Sequence, residues 1–215
     1  YTNSHSFIGN LLDVNGDIWP DLLSVADFRK SQVFHNRGGN PARFVNTTRI
    51  STLTDLAGMG SAVADFDLDG HLDWFVTAIH YPANTGAYPG NKLYLNNGAG
   101  HFAEGAGTAD VAAGGWAWGA CAEDFDNDGN VDLFHANGWG DLYPEPRRST
   151  ALISYTRHTT SRLFMNEGGA RFTDNTAAAG FADTTEGRAV VCFDYDRDGD
   201  IDILVGNNGA RPHLY

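Results

Sequence analysis

Cysteine, basic residues and long apolar runs are all scarce in this sequence. Two cysteines in 215 residues, Cys121 and Cys192, cannot build a disulfide framework or a zinc cluster. Both sit in apolar strand-like runs, GACAEDF and AVVCFDY, and are read as buried free thiols. The 14 Lys and Arg are outnumbered by 27 Asp and Glu, for a formal net charge of −13. That balance argues against nucleic acid and anionic membrane as partners, because both demand a basic footprint. No apolar run approaches the roughly 18 residues of a bilayer span, so membrane insertion is not expected. No signal peptide is expected at the N-terminus either. Helical periodicity is rare, with TDNTAAAGF (173–181) its nearest approach.

What the chain has instead is 26 glycines, many aromatics, and short apolar runs broken by Asn-Gly turns, which indicates an all-β fold. An acidic segment recurs four times without gaps: DVNGDIWPD from Asp13, DFDLDGHLD from Asp65, DFDNDGNVD from Asp124 and DYDRDGDID from Asp194. The four starts are 52, 59 and 70 residues apart, and a strand-like run flanks each copy on both sides. A second motif follows downstream: VFHNRGGNPARF, LYLNNGAGHF and LFMNEGGARF, read as strand, turn, strand. Each unit is then four short strands, and units of this kind stack as propeller blades that cannot bury their faces alone. The expected blades are approximately 1–55, 56–112, 113–184 and an incomplete 185–215. About three and a half blades imply part of a longer chain, with a closed four-bladed ring as the alternative.

Three carboxylates on alternate positions repel one another unless a cation sits among them. Ca²⁺ takes roughly 6–8 oxygens, and positions 1, 3, 5 and 9 of the loop supply carboxylates while position 7 supplies a carbonyl. The candidate ligands are Asp65, Asp67, Asp69, the His71 carbonyl and Asp73 in the second copy. In the third they are Asp124, Asp126, Asp128, Asn130 and Asp132, and in the fourth Asp194, Asp196, Asp198, Asp200 and Asp202. The first copy offers Asp13, Asn15, Asp17, Trp19 and Asp21. It is the weakest, because an amide replaces one carboxylate and Ile18 stands where Gly70, Gly129 and Gly199 turn the other loops. About four calcium ions are expected. An EF-hand is excluded: position 12 is Ser24, Val76, His135 and Val205 rather than Glu, and the flanks are β-like.

DxDxDGxxD loops inside four-stranded repeats resemble the FG-GAP/VCBS repeats of integrin-α-type seven-bladed β-propellers. The segments DFDNDGNVDLFHANG, LFMNEGGARFTDNTAAAGF and GWAWGACAEDFDNDG resemble the cartilage-acidic-protein (ASPIC/UnbV-associated) branch. The resemblance implies calcium at the hairpin between the first two strands of a blade, a secreted or cell-surface location, and a role in adhesion or binding. Some propeller relatives are polysaccharide lyases or sugar dehydratases, so the resemblance leaves catalysis open.

If one face holds the acidic loops, the link from strand two to strand three lies on the opposite, upper face. From the first loop Asp to the turn Asn, the repeats run 23, 31 and 42 residues. The added residues include His80, Tyr81, Tyr88, Trp139, Tyr143, Arg147, Arg148, Tyr155 and His158. Met59, Trp118 and Arg188, six residues before successive loops, reach the same face. Trp and Tyr with Arg suit a protein or carbohydrate ligand, against the plainer reading that the aromatics pack long loops down. His80, His135, His158, Tyr81 and Tyr155 are the candidates for acid–base chemistry, with His135 expected to pack in a strand. No nucleophile elbow, HExxH or phosphate-cradling loop is present. The leading expectation is a non-catalytic, calcium-binding extracellular segment for adhesion or scaffolding. A propeller enzyme and a self-assembling structural protein are the alternatives.

Overall fold

A computed structural model describes residues 5–139, 150–157 and 159–215. The first sheet holds β1 (Ser6–Leu12), β2 (Asp21–Ala26), β3 (Gln32–Asn36) and β4 (Phe44–Asn46) in sequence order. The second holds β5 (Gly60–Ala64), β6 (Asp73–Thr77), β7 (Lys92–Asn96) and β8 (Phe102–Glu104). β9 (Ala117–Glu123), β10 (Asp132–Asn137), β11 (Arg162–Asn166) and β12 (Phe172–Asp174) form the third. A three-stranded fourth sheet holds β13 (Gly187–Phe193), β14 (Asp202–Asn207) and β15 (His213–Leu214). All pairings are antiparallel, and β1, β5, β9 and β13 stand beside one another as the inner strands of successive blades. The architecture is that of four β-propeller blades.

Burial follows from each blade's neighbours. β6 and β10 lie between two other blades and are buried at every position, which is why Trp74, Phe75 and Val76, and Leu133 and Phe134, follow one another without polar alternation. β2 and β14, in the first and fourth blades, alternate instead. Val14, Leu23 and Val25 meet Trp74 and Tyr94 between the first two blades, Phe66 and Phe75 meet Leu133 and Phe164 between the next two, and Phe134 meets Ile203 and Val205 beyond.

Along the inner strands, residues one and three before the loop's first Asp face the following blade, and residues two and four before it face the preceding one. Ala62 and Ala64 thus pack toward the third blade, while Val63 packs toward the first. The same parity leaves apolar groups uncovered at both ends of the row. Leu11 on the first blade is 67% exposed, and Val191 and Tyr195 on the fourth are 52% and 62% exposed.

One expectation is corrected. Cys121 and Cys192 are not free thiols: they form a disulfide that joins β9 to β13, with Cα atoms 6.3 Å apart. Cys121 lies three residues before its loop and Cys192 two before its own, so the parity points the two side chains at each other across one blade interface. TDNTAAAGF, the nearest approach to helical periodicity, continues from β12 through hydrogen-bonded turns, with Gly180 at φ +82°. The helices are elsewhere, at α1 (Ala106–Ala109) and α2 (Thr150–Thr156), with a 3₁₀ turn at Pro82–Asn84. Leu152 of α2 is buried against Met59, Ile79 and Trp116. Among the described residues no helix is long and apolar enough to cross a membrane.

Candidate metal centres and an aromatic cleft

Each acidic segment forms the loop between the first two strands of its blade. Three groups of carboxylates converge there: Asp65, Asp67 and Asp73; Asp124, Asp126 and Asp132; and Asp194, Asp196 and Asp202. In each group, one ligand atom from every residue lies within 4.8 Å of the others. These are positions 1, 3 and 9 of the loop. The first copy brings Asp13, Asn15 and Asp21 to the equivalent places, two carboxylates and an amide.

The loop backbone is wound around its own acids. Asp65 accepts hydrogen bonds from the Asp69 and Gly70 amides at 3.0 and 2.8 Å, and Asp124 repeats this with Asp128 and Gly129 at 3.0 and 2.9 Å. The position-5 acids cap the next turn: Asp69 accepts from His71 N–H at 2.9 Å, Asp128 from Asn130 at 2.7 Å, Asp198 from Asp200 at 3.0 Å and Asp17 from Trp19 at 3.0 Å. Position 4 as well as position 6 is left-handed in every loop. Leu68, Asn127 and Arg197 have φ of 60°, 59° and 67°, and Gly16 takes that place in the first copy with 73°. Ile18, at position 6, is held at φ 73° with its side chain 82% exposed, a conformation that β-branched residues resist. Asn127 Nδ2 donates to Asp200 at 3.1 Å, which links the third loop to the fourth.

Position 9 has a second task. Asp73 is fully buried; its Oδ2 accepts from Phe66 N–H at 3.0 Å and its Oδ1 from Asn96 N–H at 2.8 Å. Asp132 does the same with Phe125 at 2.9 Å and Asn166 at 2.7 Å, and Asp21 with Val14 at 3.3 Å and Asn36 at 2.8 Å. One carboxylate therefore ties the loop to the third strand. Burial pushes the Asp73 and Asp132 carboxyls up to about 6, against the lowering pull of those amides. Asp67 is raised by burial and by the Asp69 charge, and Asp196 chiefly by the Asp198 charge. Crowded oxygen-only donor sets whose charges oppose one another fit a hard divalent cation.

The upper face carries a cleft of about 540 Å³. Its walls come from the β2–β3 turn, the link into β5, the β6–β7 connection and the segments around β9 and β10. Trp116 and Trp139 stack with centroids 4.3 Å apart, Trp118 lies parallel to Trp139 at 6.4 Å, and the Arg188 guanidinium sits 4.2 Å over Trp118. Arg188 also pairs with Glu186 at 2.9 Å. Of the expected ligand-face residues, Trp118, Trp139, Tyr88 and Met59 line this cleft. Tyr81 instead packs on Tyr155, with centroids 5.6 Å apart. His80 is half-buried; burial, then the Arg162 charge, lowers its pKa. His135 is sealed between Phe75 and Phe164, and burial lowers its pKa to about 3, so it packs rather than reacts. Tyr143, Arg147, Arg148 and His158 lie outside the described residues. Trp116, Phe28 and Arg29 are cleft residues that spacing alone did not single out; the doublet of Trp116 and Trp118 at one strand start was the available signal.

The profile of the FG-GAP-like repeat matches residues 13–76 and 83–135, more than half of the chain and including three of the four acidic loops. Cartilage acidic protein 1 of Mus musculus is 43% identical over 54 residues, which cover 25% of this chain and 8% of that protein. Blades, loops and profile agree, and the chain belongs to the family of FG-GAP-like repeats.

Proposed function

We propose that this chain is a calcium-stabilised propeller segment of an extracellular protein that serves adhesion, scaffolding or ligand binding. The observation that carries the reading is the convergence of three carboxylates in each of three loops. Oxygen-only donors from carboxylate and carbonyl favour Ca²⁺ over softer metals, and the Asn15-containing loop makes a fourth, weaker site. Positions 1, 3, 5 and 9 of the four loops hold 15 of the 27 acids, so cation binding relieves most of the chain's crowded charge. A site with a Kd of about 0.1 mM in about 2 mM calcium stabilises the fold by roughly 1.8 kcal/mol. The disulfide suits an oxidising, secreted setting, as does the name of the cartilage relative.

Two kinds of partner belong to this reading. The upper face offers its cleft to a protein or carbohydrate ligand, and the uncovered apolar groups of the first and fourth blades suit further blades of the same repeat or self-association. Equilibrium dialysis against calcium followed by metal analysis tests the central point. Three bound ions and a weaker fourth are expected; a protein that retains none contradicts the proposal.

A further inference from the structure

The upper-face cleft differs from the rest of this acidic surface in two respects. Its described lining is dominated by aromatic and aliphatic side chains, and only Asp27, Arg29 and Tyr88 add a charge or hydroxyl besides the indole N–H groups. One indole N–H is already committed, from Trp118 to the Gly138 carbonyl at 2.8 Å. Among the described residues a buried pyranose would find few partners for its hydroxyls, a costly outcome. An apolar anchor side chain loses nothing.

The lip is built at a conformational cost. Phe28 and Arg29 occupy consecutive left-handed positions, with φ of 61° and 58°, where a tight turn ordinarily uses Asn-Gly. Phe28 is nevertheless 60% exposed, so the turn gains little from burying it. Strain kept for an exposed aromatic marks a contact surface rather than a folding requirement. Arg29 and Lys30 are both exposed on this turn, while the acidic loops lie at the other face. With Asp27 on the same turn, the described lip keeps an excess of one positive charge in a chain of net charge −13.

We propose that the cleft binds an extended peptide segment of a partner protein. The segment inserts one large apolar side chain between Phe28 and the tryptophan wall and sets a neighbouring Asp or Glu against Arg29. Aromatic residues, Met and Arg around an apolar centre are the composition of a protein-binding hot spot. This deepens the upper-face reading and rests on it.

The test pans a random dodecapeptide display library on the calcium-loaded full chain and measures recovered peptides by fluorescence anisotropy. The expected peptides share a large apolar residue with Asp or Glu close beside it. Arg29→Glu and Phe28→Asn each weaken them at least about tenfold, while thermal unfolding shows both variants folded, since Asn accepts the left-handed turn. A glycan array separates the failures. Oligosaccharide binding lost in Phe28→Asn, with no peptide recovered, keeps the face and overturns the peptide occupant. Peptides indifferent to both variants but lost with Arg37→Glu, beside the acidic loops, overturn both. Recovery of neither class also overturns the proposal.

Discussion

The side-chain amide of Asn96 donates a 2.8 Å hydrogen bond to the backbone carbonyl of Val14, so the second blade grips the acidic loop of the first. Asn166 repeats this on Phe66 at 2.9 Å, from the third blade to the second. The same asparagines donate their backbone N–H to the position-9 aspartate of their own loop. The second and third acidic loops are therefore each joined through one residue to the loop of the preceding blade.

Asn96→Ala removes the side-chain bonds to Val14, Leu72 and Gly98. A loss of about 2–3 kcal/mol is expected, together with weaker calcium binding at both the first and second loops. Urea unfolding and calcium titration of the variant measure the two effects; a change confined to one loop would break the proposed linkage.

The Cys121–Cys192 bond closes a separation of 71 residues between neighbouring inner strands. Reduction, or Cys192→Ser, is expected to cost about 2–4 kcal/mol and to loosen the fourth blade first. Hydrogen exchange with and without reductant reads this directly, and equal protection of β13 under both conditions would contradict it.

Asp55 is fully buried and accepts from the Ser31 hydroxyl at 2.6 Å and the Tyr94 hydroxyl at 2.9 Å. Burial raises its pKa, with the two hydroxyls opposing. The folded state thus holds this proton more tightly than the unfolded one. The stability from Asp55 is present at low pH and lost as pH rises through the folded value. Tyr94→Phe withdraws a donor from the anion, so its penalty is expected to be larger at neutral pH than near pH 4. A penalty independent of pH would show that the Tyr94 hydroxyl does not favour the ionised form of Asp55.

Ile18 in its left-handed position carries strain that glycine lacks. Ile18→Gly is expected to stabilise the metal-free chain by about 1 kcal/mol, and Asn15→Asp to tighten calcium at that loop by adding a carboxylate. Calorimetric titration of both variants checks this; unchanged affinity in Asn15→Asp would remove position 3 from the site.

The blades and the loop positions were legible because the acidic segment repeats with a fixed spacing and each copy sits between apolar runs. Short-range spacing also placed Asp65, Asp67 and Asp73 in one cluster. Effects that act across blades were hidden. The disulfide depends on Cys121 and Cys192 facing opposite ways on adjacent inner strands, and position 9 is buried because Asn96 and Asn166 reach it from the third strand. Trp116 joins the cleft through stacking on Trp139, a residue 23 positions away, and the strained Phe28–Arg29 turn has no local signature because those residues do not favour it. TDNTAAAGF, the nearest approach to helical periodicity, forms turns because its apolar content is too short to outweigh the turn chemistry of Asp174, Asn175 and Gly180.

The most direct test of the account is thermal unfolding in chelator and then across a calcium titration, for the native chain and for Asp67→Ala combined with Asp126→Ala. The melting temperature of the native chain should rise by several degrees or more, and most of that rise should vanish in the double variant. A melting temperature indifferent to calcium would reduce the four loops to acidic turns and remove the structural metal from the account.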